Sequence, residues 1–490
     1  MKRTPLPLPH LLLLLAALLL PLGLSGKVTL APLFSDHMVL QQQCTVTVRG
    51  TSDRPTVTLT PSWGGAVCAE VRGGEWSAEL ATPAASYEKH TLTLADGDSQ
   101  IVLQDLLIGE VWLCSGQSNM YMPLRGFTGQ PVAGAFETLL ETPRYADRIR
   151  MLTLPKREAE RPRRDFEGRW EVPSPRSALA MSATAYHFAR TLNDALDLPV
   201  GIVSASWGGS AIEAWMAPED LREMGCDVEK INADPNIEPR RQCSKLYNGL
   251  IAPVEGFPIR GFVWYQGESN LKTADRYAEQ MERLVRFWRS RWGDAEGRLP
   301  FIYVQIAPYE NKDAAGTEAP RLMEAQIDAL ERIPNAALIC TTDMGEKSCI
   351  HPSDKLTVGR RIAAQALRRS YGVKLPAEAV EGVRFERAEF ADGKAVVHFL
   401  NARYGLTPQG EAILGFELAG RDGVFHPAEG RIVKSKPQVE VSSPDVPEPV
   451  AVRYAFRNFT PTNLHNTLGQ AVFPFRSDRP AGAAPSASGL

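Results

Sequence analysis

The chain is 490 residues long, which at ~150 residues per domain predicts two or three domains. A composition of 44% hydrophobic and 23% charged residues is that of a globular protein and excludes a disordered, fibrous or collagen-like chain. A net charge of -3 leaves no electrostatic footprint for nucleic acid or an anionic membrane. The 37 prolines and 39 glycines show no period and predict many turns, as in a protein with a large β fraction.

Lys2 and Arg3 precede the leucine-rich run LLLLLAALLL (11–20), with small residues at Ser25 and Gly26. A basic start, a short apolar stretch and a small-residue exit read as a secretory signal over 1–26. The alternative is a membrane anchor, for which the run is short against the ~20 residues of a span. No later stretch is long and apolar enough to cross a bilayer, so no membrane anchor is expected after cleavage. The expected location is secreted or periplasmic, or lysosomal if the source is eukaryotic. All seven cysteines (Cys44, Cys68, Cys114, Cys226, Cys243, Cys340, Cys349) follow the leader. An exported chain can oxidise them, but their spacing fixes no connectivity and fits no zinc pattern.

Residues 27–107 show short alternating runs such as TVTV (45–48), TVTL (56–59) and TLTL (91–94), separated by turn residues. Period-two alternation predicts antiparallel strands in a small sandwich. From 108 to 374 the grammar changes. Apolar runs at 111–114, 200–205, 259–265, 301–307 and 336–341 end in polar or glycine-bearing loops. Between them lie helical patterns at 183–195, 274–291, 319–332 and 356–369. Buried strands alternating with amphipathic helices predict an α/β domain with a parallel sheet covered on both faces. Functional groups on such sheets gather at the carboxyl ends of the strands. A second β segment is predicted over 375–478, packed with the N-terminal strands because chain termini often lie close together. The tail 479–490 has a disordered composition.

Three strand-ending loops carry chemistry. In LCSGQSNM (113–120) a buried strand runs into a glycine-flanked turn bearing Ser118, close to backbone N–H groups that can stabilise an oxyanion. Its plain reading is a helix N-cap serine followed by a solvent-exposed Asn119. WYQGESN (264–270) offers two amides, Gln266 and Asn270, and the carboxylate of Glu268; its plain reading is a capping cluster for the next helix. His351 lies in a loop between a strand and a helix, where an imidazole can act as a general base; its plain reading is a surface histidine.

Taken in order, GQSNM (116–120), SWGGSAIEAW (206–215), WYQGESN (264–270), and IHP (350–352) with GRRIA (359–363) resemble the SGNH hydrolases. The closer resemblance is to the sialate O-acetylesterase-like carbohydrate esterases. LFSDHMVLQ (33–41) and VRYAFRNF (452–459) look like further landmarks, so the resemblance runs from about 28 to 476. It implies a flavodoxin-like, three-layer parallel-sheet core with flanking β-sandwich segments. It also implies a Ser–His acyl-enzyme mechanism acting on acetylated sugars. Ser118 matches the nucleophile and His351 its base. The backbone N–H groups of Ser118 and Gly209 match oxyanion donors, joined by an amide for which Gln266 is favoured over Asn270.

One departure stands out. Related sequences tend to carry an aspartate two residues before the histidine, where this chain has Cys349. Glu268, Asp343 and a Ser–His dyad helped by backbone carbonyls are the candidates for the third role, Glu268 being favoured. For the sugar, Arg125 and Trp207 are candidate contacts, through charge pairing and stacking. The favoured substrate is an O-acetylated sialic acid. The alternatives are acetylated polysaccharides such as xylan, and an inactive carbohydrate-binding protein. A serine mechanism needs neither metal nor organic cofactor, and none is expected. Asn458-Phe459-Thr460 is a glycosylation sequon.

Overall fold

A computed structural model describes residues 27–479. The expected leader 1–26 lies outside the described residues, as does the tail from 480. The alternating N-terminal runs form antiparallel strands with one buried side. Val46 and Val48 of Thr45–Thr51 are fully buried between exposed threonines. Val57 and Leu59 of Thr56–Pro61 alternate in the same way, as do Trp76, Ala78 and Leu80 of Glu75–Ala81. This is the pattern of strands with one face on a core and one in water.

The chain enters the central sheet through a single 17-residue strand, β1 (Gln100–Gly116). Its first half pairs antiparallel with Ser86–Ala95, and its second half joins a parallel sheet. The division expected at 107/108 therefore falls inside one continuous strand. The other central strands are β2 (Ile149–Thr153), β3 (Trp170–Glu171), β4 (Val200–Ser206), β5 (Gly261–Tyr265), β6 (Phe301–Val304) and β7 (Ala336–Ile339). Their order is β3-β2-β4-β1-β5-β6-β7, within an eleven-stranded mixed sheet that includes the N-terminal partners of β1. All neighbours in this order are parallel except β3, which runs antiparallel on the β2 edge.

Side chains leave each strand on alternate faces. Trp112 and Cys114 of β1, with Val263 and Tyr265 of β5, join a core built with α2 (Ala183–Leu196) and α5 (Lys355–Ser370). Val111 and Leu113, with Phe262 and Trp264, join another core built with α3 (Ala274–Arg291) and α4 (Glu318–Arg332). Both faces of the strands are buried, which explains why they read as continuous apolar runs. The chain moves outward from β1 to β2, returns to β4 and then crosses to β5, β6 and β7. β1 thus lies between strands reached in opposite directions, and the loops beyond its carboxyl end border a crevice.

The C-terminal segment forms two four-stranded sheets and a two-stranded pair around its own core, including Val397, Leu418, Val452 and Phe475. Its contacts place it on the β7 side of the central sheet. Arg476 binds Glu324 of α4 through two hydrogen bonds of 3.1 and 2.9 Å, and Arg384 reaches Glu331 at 2.7 Å. No hydrogen bond or ion pair joins it to 27–107 among the described residues, so the expected packing of the two β segments gives way to docking on the helical layer. Arg479, assigned to the tail by composition, is tied to Asp328 at 2.8 Å. Asn458 of the sequon is buried, accepts the Ala319 N–H at 2.9 Å and donates to Asn311 O at 3.1 Å. Its amide is therefore closed to a glycan in the folded chain. All seven cysteines are unpaired thiols.

Where α2 and α5 meet, Gly359 lies so close that a Cβ would fall 2.6 Å from the His187 Cβ. His187 is fully buried, and neither ring nitrogen has a partner. Burial pushes its pKa down to about 4, so the folded chain holds it neutral. Between pH ~6.5 and ~4 the unfolded chain takes up a proton that the folded chain refuses, so stability falls as pH falls through this window. Replacing His187 with Leu should flatten that decline. Thermal unfolding from pH 7 to pH 4.5 checks this, the variant losing less Tm than the wild type.

Candidate active site

β1 ends at Gly116, whose φ of 138° is open to glycine and strained for other residues. A Cβ there would lie 2.2 Å from the Tyr265 carbonyl oxygen. The close approach lets the Gln117 N–H donate to Tyr265 O at 2.9 Å, and the Gln117 side-chain oxygen accepts from Gly267 N at 3.1 Å. The turn is thereby fastened to the end of β5. Ser118 opens the four-residue helix α1 (Ser118–Tyr121) and lines a cavity of about 440 Å³. The loop after β4 passes close by, and a Cβ on Gly208 would sit 3.3 Å from the Ser118 Cβ. The backbone N–H groups of Ser118 and Gly209 have no acceptor among the described residues, and both residues line the cavity.

His351 borders the same cavity from the loop after β7. Its Nδ1 lies 2.5 Å from the side-chain oxygen of Gln130, and the Phe127 ring meets it edge-on at 5.0 Å. Nε2 has no partner among the described residues. Burial, helped by the Lys355 ammonium, pushes the His351 pKa down to about 4, so the ring is neutral above that pH. The Cys349 thiol turns away and donates to the His351 carbonyl oxygen at 3.2 Å.

Beneath these groups lies a buried polar chain. Asn119 is fully buried; its amide nitrogen donates to Glu268 Oε1 at 2.6 Å and to Ile350 O at 3.1 Å. Its side-chain oxygen accepts from Lys355 Nζ at 2.6 Å, and Lys355 is itself fully buried at the start of α5. Burial pushes Lys355 down to about 8 against the pull of Glu268, and burial raises the Glu268 carboxyl. The second Glu268 oxygen is buried without a partner. Glu268 lines the cavity, as do the cationic residues Lys156, Arg240 and Arg241.

Ser118, Gly209, Glu268 and His351 are thus brought to one cavity. Other expected residues are committed elsewhere. Asp343 binds Arg361 at 2.7 and 2.9 Å and His465 at 3.2 Å; burial would raise its carboxyl, but these partners hold it well below the carboxylate range. It is unavailable to His351. Glu268 spends its bonded oxygen on Asn119, so it is not the bonded partner of His351 either. The Gln266 amide nitrogen donates to Ser210 O at 3.0 Å and to Asn270 Oδ1 at 2.8 Å, which exhausts its donors. The Asn270 amide nitrogen is taken by Glu213 at 2.9 Å, so neither amide faces the cavity. Trp207 packs against the core, and Arg125 is exposed away from the cavity lining. Asn119, read plainly as exposed, is buried at the centre.

Sequence reasoning missed Gln130, Asn119, Lys355, Lys156, Arg240 and Arg241. The Arg240-Arg241 pair was visible as a basic dipeptide, but nothing in the sequence ties it to strand ends. Gln130 sits in a Gly/Thr/Pro-containing loop with no motif. No cluster of His, Cys, Asp and Glu able to hold a metal occurs among the described residues.

Residues 108–368 match the family model for carbohydrate esterases described as sialic acid-specific acetylesterases. The chain is 32% identical over 298 residues to sialate O-acetylesterase from Homo sapiens, covering 56% of this chain and 55% of that one. It is 29% identical over 332 residues to sialate O-acetylesterase from Mus musculus, covering 58% and 60%. The alignments thus span a little over half the length of these curated relatives. Among solved structures, a carbohydrate acetylesterase from Xanthomonas citri superposes with a TM-score of 0.81 at 32% identity, over 92% of this chain and 99% of that one. The chain belongs to the sialic acid-specific acetylesterase family of carbohydrate esterases.

The buried chain under the cavity makes a stability prediction. Removing one partner of a buried charge pair leaves the other uncompensated, at about 3–5 kcal/mol. Lys355→Met should cost that much in urea unfolding, and adding Glu268→Gln should recover much of the loss. Equal, additive losses would mean that the two charges do not interact.

Proposed function

We propose that the chain is a serine esterase that removes O-acetyl groups from sialic acids. The observation that carries this reading is the convergence on one cavity of Ser118, of His351 with an unpartnered Nε2, and of two acceptor-free N–H groups. In the proposed reaction the Ser118 hydroxyl oxygen bonds to the acetyl carbonyl carbon and its proton passes to His351 Nε2. The N–H groups of Ser118 and Gly209 hold the oxyanion. The bond from the carbonyl carbon to the sugar oxygen then breaks, and that oxygen takes the proton back from His351. Water repeats the sequence on the acetyl-serine and releases acetate.

A neutral imidazole suits this role, because only the unprotonated ring can accept the serine proton. The cationic wall of Lys156, Arg240 and Arg241 favours an anionic sugar. A guanidinium matches a carboxylate, as on sialic acid, in competition with the contacts that Arg240 makes to Glu238 at 2.7 Å and Arg241 to Gly209 O at 3.3 Å. The alignment of helices on both sides of the central strands, with reactive loops at the carboxyl end of β1, supports the three-layer SGNH arrangement. On this reading 1–26 is an export signal and the substrate is met outside the cytoplasm.

A second reading, action on a neutral acetylated polysaccharide such as xylan, draws on one observation. The structure that superposes over nearly its whole length is named only as a carbohydrate acetylesterase. Acetate release separates the two. The wild type should deacetylate O-acetylated sialic acid in preference to acetylated xylan, and Arg240→Gln/Arg241→Gln should raise KM for the sialic acid. Preference for xylan with no effect of the arginines favours the second reading. Ser118→Ala should lower 4-nitrophenyl acetate hydrolysis by ~10³-fold or more. No hydrolysis by the wild type would leave a carbohydrate-binding protein.

A further inference from the structure

The triad of a serine hydrolase needs an acceptor behind the histidine to hold Nδ1–H and leave Nε2 as the base. No carboxylate is bonded to His351 among the described residues. Asp343 is locked by Arg361 and His465, Glu268 is bonded to Asn119, and position 349 is a thiol donating to a carbonyl. The group that does meet Nδ1 is the side-chain oxygen of Gln130, at 2.5 Å. An amide oxygen only accepts, so the proton of a neutral ring in this bond resides on Nδ1.

The bond is held from both ends. Phe127 and Gln130 exchange two backbone hydrogen bonds of 3.0 Å, closing a tight turn through Gly129 at φ 72°. Gly126, at φ 73°, lies where a Cβ would come within 2.4 Å of the Gln130 carbonyl oxygen. The Ala133 N–H then donates to Ser353 O at 2.9 Å, stitching this loop to the one bearing His351. On the other side, Asn119 holds Ile350 O, next to the histidine. Phe127 covers the ring edge between.

We propose that Gln130 is a positioning residue for His351, a neutral amide standing where a triad carboxylate would, which fixes the ring as its Nδ1–H tautomer with Nε2 open toward the cavity. The role within catalysis rests on the esterase reading; the tautomer does not. A neutral acceptor orients the ring without stabilising its protonated form. The charged groups around His351 are Lys355 at the start of α5, Glu268, Lys156, Arg240 and Arg241 of the cavity lining, and Glu346 in its own loop, where the Cys349 thiol also lies. A carboxylate at 130 would add a negative charge directly on Nδ1–H.

Ring-nitrogen NMR of the ¹⁵N-histidine-labelled full chain tests this, with His351→Gln assigning the signal. The wild type above pH 6 should show His351 protonated on Nδ1 and lone-paired on Nε2. Gln130→Ala should shift it toward the Nε2–H form and lower kcat at least ~10-fold, with KM changed less than twofold. Gln130→Glu should keep the Nδ1–H tautomer and raise the His351 pKa by ~1 unit or more, with the acid limb of kcat/KM moving alike. A wild-type Nε2–H tautomer, or a Gln130→Ala spectrum unchanged from wild type, overturns the proposal; the wild-type spectrum requires no variant to fold. Should Ser118→Ala retain full hydrolysis, the esterase reading fails while the tautomer result still stands or falls on its own.

Discussion

The buried side chain of Asn119 is the point on which the site depends. Through one amide it ties the turn after β1 to Glu268 beyond β5, to the backbone next to His351 and to Lys355 at the start of α5. Thr184 of α2 adds a bond of 3.0 Å to the Asn119 carbonyl oxygen. Three segments far apart in sequence, at 184, 268 and 350–355, are thereby indexed to the residue that follows Ser118. In a buried setting each of these bonds is costly to leave unmade, so the register of the cavity walls is set by hydrogen-bond satisfaction rather than by packing alone.

The electrostatics of the cavity follow from burial. His351 is kept neutral because its ring is partly withdrawn from water and a lysine ammonium lies behind it. Lys355 is tolerated in the interior because Asn119 and Glu268 answer it. The Asn119 amide bonds to both the carboxylate and the ammonium, which also attract each other through space. The cavity lining also includes Lys156, Arg240 and Arg241, of which Arg240 is paired with Glu238 at 2.7 Å, and the half-satisfied carboxylate of Glu268. A histidine oriented by a neutral amide fits this balance, since no second negative charge is introduced beside Glu268.

Much of this architecture was legible in the sequence. The runs at 111–114, 200–205 and 259–265 read as buried strands because both faces of those strands are covered, and the loops that end them border the cavity. What failed was legibility of partnership. Asp343 and Glu268 were candidates by residue type and position, but Arg361 from α5 and Asn119 from the turn after β1 claim them. Gln266 and Asn270 have the right chemistry for oxyanion donors, yet they spend it inward on each other and on Ser210 and Glu213. Gln130 was invisible because its function comes from a loop crossing over His351, a contact 221 residues apart that no local pattern encodes. The boundary at 107/108 was misleading for a related reason. The alternation changes there because β1 exchanges an antiparallel partner for parallel ones, without the strand itself ending.

The central claim is that Ser118 is a nucleophile activated within this cavity. Active-site labelling tests it most directly: the chain is treated with a small alkyl fluorophosphonate and the modified peptide is mapped by mass spectrometry. The account predicts stoichiometric phosphonylation at Ser118 and none in a His351→Ala chain over the same interval. Modification at another residue, or equal labelling of Ser118 without His351, would contradict it.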